Sequence, residues 1–175
     1  MKKEHTKHAK KEVTVWDDLL YLFGKIVLVA VALCAVYFFL FGVVRYNDNG
    51  MSPAVKDGDL VVYYRLDKRY KVGDIFAYHY DKKMRVARVV ATSGDTVNIT
   101  DKGLIVNGAV QQEDNIYTDT LLYRKGVKFP LKVPQGQVFA LGDNRESAVD
   151  GRVFGPIPSQ RTDGKVVMLM RRRNF

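Results

Sequence analysis

The chain begins polar, becomes continuously apolar, and then breaks into short runs separated by turn residues. Residues 26–44, "IVLVAVALCAVYFFLFGVV", carry no charge over 19 positions. As a helix rising about 1.5 Å per residue they would reach roughly 28 Å, close to the hydrocarbon thickness of a bilayer. A buried core helix seldom stays apolar on every face for so long, and the apolar part of a cleaved signal peptide is shorter, about 7–15 residues. The pattern predicts a polar tail over 1–25, a membrane-spanning signal anchor over 26–44 and a separate domain over 45–175.

That domain is β in character. Apolar and β-branched residues recur in runs over 60–64, 74–80, 84–91, 96–99, 104–106, 138–141 and 166–170, bounded by Gly, Asp and Asn. No long stretch keeps a helical period, so a mainly β barrel or sandwich is expected. "VNITDKGLIVNG" (97–108) predicts a hairpin with Asp101, Lys102 and Gly103 at its tip. Residues 111–132 have neither period and read as an inserted excursion.

Composition narrows the chemistry. The 175 residues are 47% hydrophobic, enough for one modest core. The single Cys34 lies inside the apolar run, so no intrachain disulfide and no cysteine metal cluster can form, and no metal or cofactor is implied. Leu33 stands where lipoprotein processing wants a small residue. Of 28 basic and 19 acidic residues, six and four lie up to Lys25, leaving 22 against 15 beyond the anchor. That excess sits without an aromatic-basic RNA motif, zinc-finger spacing or basic helix, so nucleic acid is not the expected partner. Anionic lipid or cell-wall polymer fits a positive extracytoplasmic face better, and the terminal Arg171, Arg172 and Arg173 read as solvated charge. Lys7, Lys10, Lys11 and Lys25 before the anchor barely outnumber Arg45, Lys56 and Arg65 after it, so charge bias alone does not orient the chain. The short lysine-rich tail reads as cytoplasmic, which places 45–175 outside the cell membrane.

Three motifs carry the functional reading. After the anchor comes Gly50-Met51-Ser52-Pro53, followed by Gly58-Asp59. Ala87-Arg88-Val89 is followed by Gly94-Asp95. The third runs Gly142-Asp143-Asn144-Arg145, then Ala148, Asp150, Gly151 and Arg152. Their order and spacing resemble the type I signal peptidase family, membrane-anchored serine proteases that remove leader peptides from exported proteins. The resemblance implies a signal-peptidase-type β domain. It also implies that Arg88 pairs with Asp143 and Asp150 with Arg152, and that these residues and Arg145 are structural.

In that family a serine attacks the scissile carbonyl, a neutral lysine takes its proton, and a second serine hydrogen-bonds the lysine. The matching positions here are Gly50, Ala87 and Ala148, so no catalytic residue is intact and the polar network is missing as a unit. Ser52 and Ser147 stand near vacated positions, and Lys83 and Arg85 share strand parity with Ala87. A nucleophile displaced by two residues moves about 6–7 Å, however, whereas proton transfer needs contacts near 3 Å. A Ser-His-Asp triad would have only His79 to draw on outside the tail's His5 and His8.

The pattern is similar to the degenerate signal-peptidase-like proteins of streptococcal pilus operons. That similarity implies a chaperone-like protein that binds an exported pilin or other surface subunit, with a sortase as a further partner. The expected groove has a floor of small residues, with Asp48, Met51, Ser52 and Pro53 along it. The alternative is an active signal peptidase using substitute residues.

Overall fold

In the computed structural model, residues 15–113 and 116–171 are described; the lysines of the tail up to residue 14, and Arg172 and Arg173, lie outside them. The chain divides into two units between Phe38 and Phe39.

Among its described residues the first unit is helical. α1 spans Val15–Leu40, 26 residues, and reaches about 39 Å, more than a bilayer core requires. It is long and apolar enough to cross a membrane, with Asp17 and Asp18 in its first turn, where the N-terminal end of the helix dipole favours acid. The expected boundaries shift at both ends. Residues 15–25, expected in the tail, are helical, and Phe41 to Val44, expected at the end of the anchor, form a strand instead.

That strand, β1 (Phe41–Arg45), opens the β unit. It is followed by β2 (Leu60–Tyr64), β3 (Ile75–Tyr80), β4 (Lys83–Ala91), β5 (Thr96–Thr100), β6 (Gly103–Val106), β7 (Ala109–Val110), β8 (Leu131–Lys132) and β9 (Gln137–Leu141). A one-turn helix α2 (Gly151–Phe154), β10 (Ile157–Pro158) and β11 (Thr162–Met170) complete it. The structure is mainly β with an N-terminal apolar helix.

Seven strands form one antiparallel sheet in the order β1-β2-β11-β3-β4-β9-β10, and four form a second in the order β7-β6-β5-β8. The small sheet belongs to an excursion between β4 and β9, which are neighbours in the large one. The 97–108 hairpin forms with Thr100 opposite Gly103, so Asp101 and Lys102 make its two-residue tip. The next turn is Asn107-Gly108, both with positive φ, the backbone that a tight hairpin between Val106 and Ala109 demands.

Three apolar clusters hold these layers. Val90, Val97, Leu104, Phe139 and Leu141 pack between the small sheet and β4-β9. Phe76, Tyr78, Ala87, Val89 and Ala140 form a second cluster, and Tyr46, Met51, Val55, Val61 and Val86 a third. The last lies under the loop joining β1 to β2, which carries the first motif.

Candidate functional site

The three motifs meet. The first lies in the 46–59 loop between β1 and β2, the second on β4, and the third in the loop leaving β9. Asn144 N–H donates to Gly50 O at 3.0 Å, and Asp143 N–H points at Met51 Sδ at 3.4 Å, so the first and third loops are joined through their backbones.

Gly142 makes the close approach possible. A Cβ built there would stand 2.3 Å from Ala148 Cβ and 2.4 Å from Gly50 O, which no real contact tolerates. Gly142 N–H in turn donates to Asp150 at 3.0 Å.

The loop is braced by buried charge. Arg88 pairs with Asp143 through two bonds of 2.8 and 2.5 Å, and Asp143 holds the guanidinium pKa above its usual value. Asp150 caps α2, accepting from Arg152 N–H, and forms an ion pair with the Arg152 guanidinium at 2.9 Å. Arg145 turns away from both acids. It donates to Gly142 O and forks onto Glu113 at 2.8 and 2.5 Å, with a further bond to Thr120 Oγ1. Arg145 and Arg152 are each only 2% exposed, so every one of these donors needs its acceptor.

Gly50 and Ala148 are brought side by side: a Cβ at Gly50 would lie 3.4 Å from Ala148 Cβ. Ala87 does not line the same space. It is buried in the cluster that holds Phe76, Tyr78 and Ala140.

The open floor expected between them is filled. Asp48 Oδ1 accepts from Gly50 N–H at 3.0 Å, and Asp48 Oδ2 accepts from Arg85 Nη1 at 2.8 Å. Arg85 lies two residues before Ala87 on an alternating strand and therefore shares its face. What remains among Tyr46, Asp48, Gly50, Tyr78, Arg85 and Ala148 is a space of about 10 Å³, at most one water. Burial pushes the Tyr46 and Tyr78 hydroxyls well above the ordinary tyrosine pKa, so both stay protonated at neutral pH and neither can act as a base.

Met51 is not a groove residue. It is fully buried in the third core cluster, because the residue between Gly50 and Ser52 points inward under the loop. Ser52 is half-buried and Pro53 exposed, and among the described residues Ser52 Oγ makes no hydrogen bond. Ser147 and Lys83 are exposed, and neither is hydrogen-bonded to the other candidates. His79 pairs with Asp163 at 2.8 Å on the surface, and it has no hydrogen bond to a serine among the described residues. Sequence reasoning missed the Asp48–Arg85 pair, for which strand parity was the available signal. It also missed Glu113, for which there was none.

The geometry is that of a β domain in which two loops and the strand β4 converge on one site. The chain belongs to the signal peptidase, peptidase S26, family, whose model matches residues 19–171. It is 31% identical over 169 residues to a signal peptidase I of Bacillus licheniformis, covering 89% of this chain and 91% of that one. It is 30% identical to signal peptidase IB of Staphylococcus aureus, over 90% of this chain and 88% of that one. Among solved structures it is similar to a signal peptidase I from Enterococcus faecalis, with 25% identity, a TM-score of 0.47, and coverage of 57% of this chain and 97% of that one.

Proposed function

We propose that this chain is a signal peptidase homologue that does not cut, and that it holds exported surface subunits, pilins among them, at the membrane for assembly. One observation carries the non-catalytic half. The backbone N–H at a nucleophile position commonly serves as an oxyanion donor; here that N–H, on Gly50, is occupied by the Asp48 carboxylate, itself neutralised by Arg85. A negative group stands where negative charge would have to develop, and no hydroxyl or amine stands at Gly50, Ala87 or Ala148. The pair also completes the site: the two charges partner each other and leave only about 10 Å³ of space, as in a fold kept for something other than turnover.

In this reading α1 anchors the protein with its N-terminus in the cytoplasm and the β unit outside, confined to the surface where exported subunits emerge. Confinement raises their effective concentration, so weak intrinsic binding suffices. A sortase is the natural further partner, since a held subunit must be handed on.

A second reading, residual peptidase activity, is favoured by the signal peptidases among the relatives. It would have to use Ser52 or Ser147, and neither hydroxyl is bonded to a base. One assay separates the two. Purified full-length protein in detergent is incubated at high concentration with a leader-peptide substrate, and the substrate is expected to stay intact. Cleavage that disappears on Ser52→Ala or Ser147→Ala would overturn the proposal.

A further inference from the structure

Between β7 and β8 the chain leaves both sheets and crosses the third motif as a strap. Glu113, Thr118 and Thr120 point inward. Glu113 takes the fork of Arg145, Thr118 Oγ1 accepts from Arg145 N–H, and Thr120 Oγ1 accepts from Arg145. Leu121 O accepts from Arg152 Nη1 at 3.1 Å, the Arg152 guanidinium lies 4.9 Å from the Tyr123 ring centre, and Tyr123 OH donates to Ala148 O at 2.7 Å. Buried arginines therefore pin the strap over the site.

Its apolar side chains point the other way. Tyr117 is 76% exposed, Leu121 64% and Leu122 57%, an inversion of the ordinary rule in a segment that is not free to turn over. Two further features specify what would cover them. Among the described residues, the backbone N–H groups of residues 117–122 make no hydrogen bond, although the strap itself is held. Among the described residues of the strap, Arg124, Lys125 and Lys128, just beyond the leucines, are exposed and without an ion pair, and Asp119 is an exposed acid.

We propose that the strap, residues 117–125, is a docking surface for an extended acidic polypeptide segment with alternating apolar residues. The unpaired N–H groups would take its carbonyls as an added strand, Tyr117, Leu121 and Leu122 its apolar side chains, and Arg124 and Lys125 its carboxylates. A bilayer would satisfy the leucines and the cations but leave the backbone unpaired. The inference deepens the binding half of the proposed function and rests on it, moving the contact from the filled site to the strap above it.

The test uses full-length protein in phosphatidylcholine nanodiscs, with empty discs as the blank, and a fluorescent peptide of alternating leucine and glutamate followed by anisotropy. Saturable binding is expected. It should weaken at least about tenfold in Leu121→Asp/Leu122→Asp, and likewise in the exposed pair Arg124→Glu/Lys125→Glu, whose folding is not at risk. A peptide N-methylated at alternate amides should also bind more weakly. Equal binding of a leucine–lysine peptide, or unchanged binding by both variants, would overturn the proposal; so would displacement of the peptide by phosphatidylglycerol vesicles, which would assign the strap to lipid. A leader-peptide cleavage assay on the same discs keeps the two proposals apart, because turnover would end the non-catalytic reading and leave the strap result standing.

Discussion

Arg85 Nη1 lies 2.8 Å from Asp48 Oδ2 and ties the first part of β4 to the loop after β1. The Arg85 side chain is only 13% exposed and its Nε has no partner, so Asp48 is the acceptor on which the buried cation depends. Asp48→Ala should therefore destabilise the β unit by about 2–3 kcal/mol, below the range for a fully buried pair because Asp48 keeps 27% of its surface. Arg85→Met should cost less, since the carboxylate left behind can still be solvated, and Asp48→Ala/Arg85→Met should recover part of the loss. Denaturant unfolding of the four proteins in detergent checks the order. A double variant whose loss equals the sum of the two single losses would show that the pair is not coupled.

The same pair limits any attempt to install peptidase activity. A serine at Gly50 would place its Cβ 3.2 Å from Ala148 Cα, tight but open to a small shift. A lysine at Ala87 would share a strand face with the Arg85 cation, and the Gly50 N–H would still be held by Asp48. Gly50→Ser/Ala87→Lys/Ala148→Ser should thus remain inactive on a leader-peptide substrate. Adding Asp48→Ala and Arg85→Ala should be required before any turnover is detected. Losing both a serine-protease nucleophile and its base costs on the order of 10⁶ in kcat, so even partial recovery would be readable. Turnover by the triple variant alone would show that the pair does not obstruct the site.

Much of this fold is legible in the sequence because its strands are short apolar runs bounded by turn residues. The run at 60–64 coincides with β2, and the hairpin expected over 97–108 forms with its tip at Asp101 and Lys102. β1 was hidden because its residues continue an uncharged stretch, and apolarity alone does not separate the end of a membrane helix from a half-buried strand. The meeting of the three motifs is what the resemblance implies, and no period or spacing alone shows it. What fills the space between them does not, since Asp48 and Arg85 are 37 residues apart and only the sheet brings them together. Strand parity placed Arg85 beside Ala87 but could not say that its guanidinium would turn toward Asp48. Met51 fell on the wrong side for a similar reason: in an irregular loop no period predicts which side chain points inward.

Gly142 gives a sharper steric test than any of the charged residues. Its missing side chain lets Gly50 O and Ala148 Cβ pack against the backbone, and both obstacles to an added methyl belong to pinned loops. Gly142→Ala should cost several kcal/mol or prevent folding, because overpacking against backbone cannot be relieved by a rotamer change; a typical overpacked core costs about 1–3 kcal/mol. Gly136→Ala makes the contrast. Nothing lies within 4 Å of its Cβ, and the only penalty is its φ of +72°, worth about 1 kcal/mol. Equal losses in the two variants, read from thermal unfolding, would contradict the contact geometry at Gly142.

Asp95 predicts how stability responds to acid. Its carboxylate accepts from Asn107 Nδ2 at 2.8 Å and from Thr92 N–H and Oγ1 at 2.8 and 3.1 Å, clasping the turn after β4 to the β6–β7 turn. The Asn107 bond, then the Thr92 backbone bond, hold its pKa below the ordinary carboxylate value of about 3.9. A depressed folded-state pKa means that the unfolded chain takes up the proton first. The stabilisation is therefore complete above the unfolded pKa and is lost as the pH falls through the folded one. Asp95→Asn should be less stable than the parent at pH 7, by about 1 kcal/mol at most because the group is well solvated, and the gap should narrow below about pH 4. Asn107→Gly, which keeps the left-handed turn and removes the donor, should flatten the same acid limb. Denaturant midpoints measured between pH 7 and pH 3 decide the matter, and a gap that stays constant or widens on acidification would remove Asp95 from the account of acid stability.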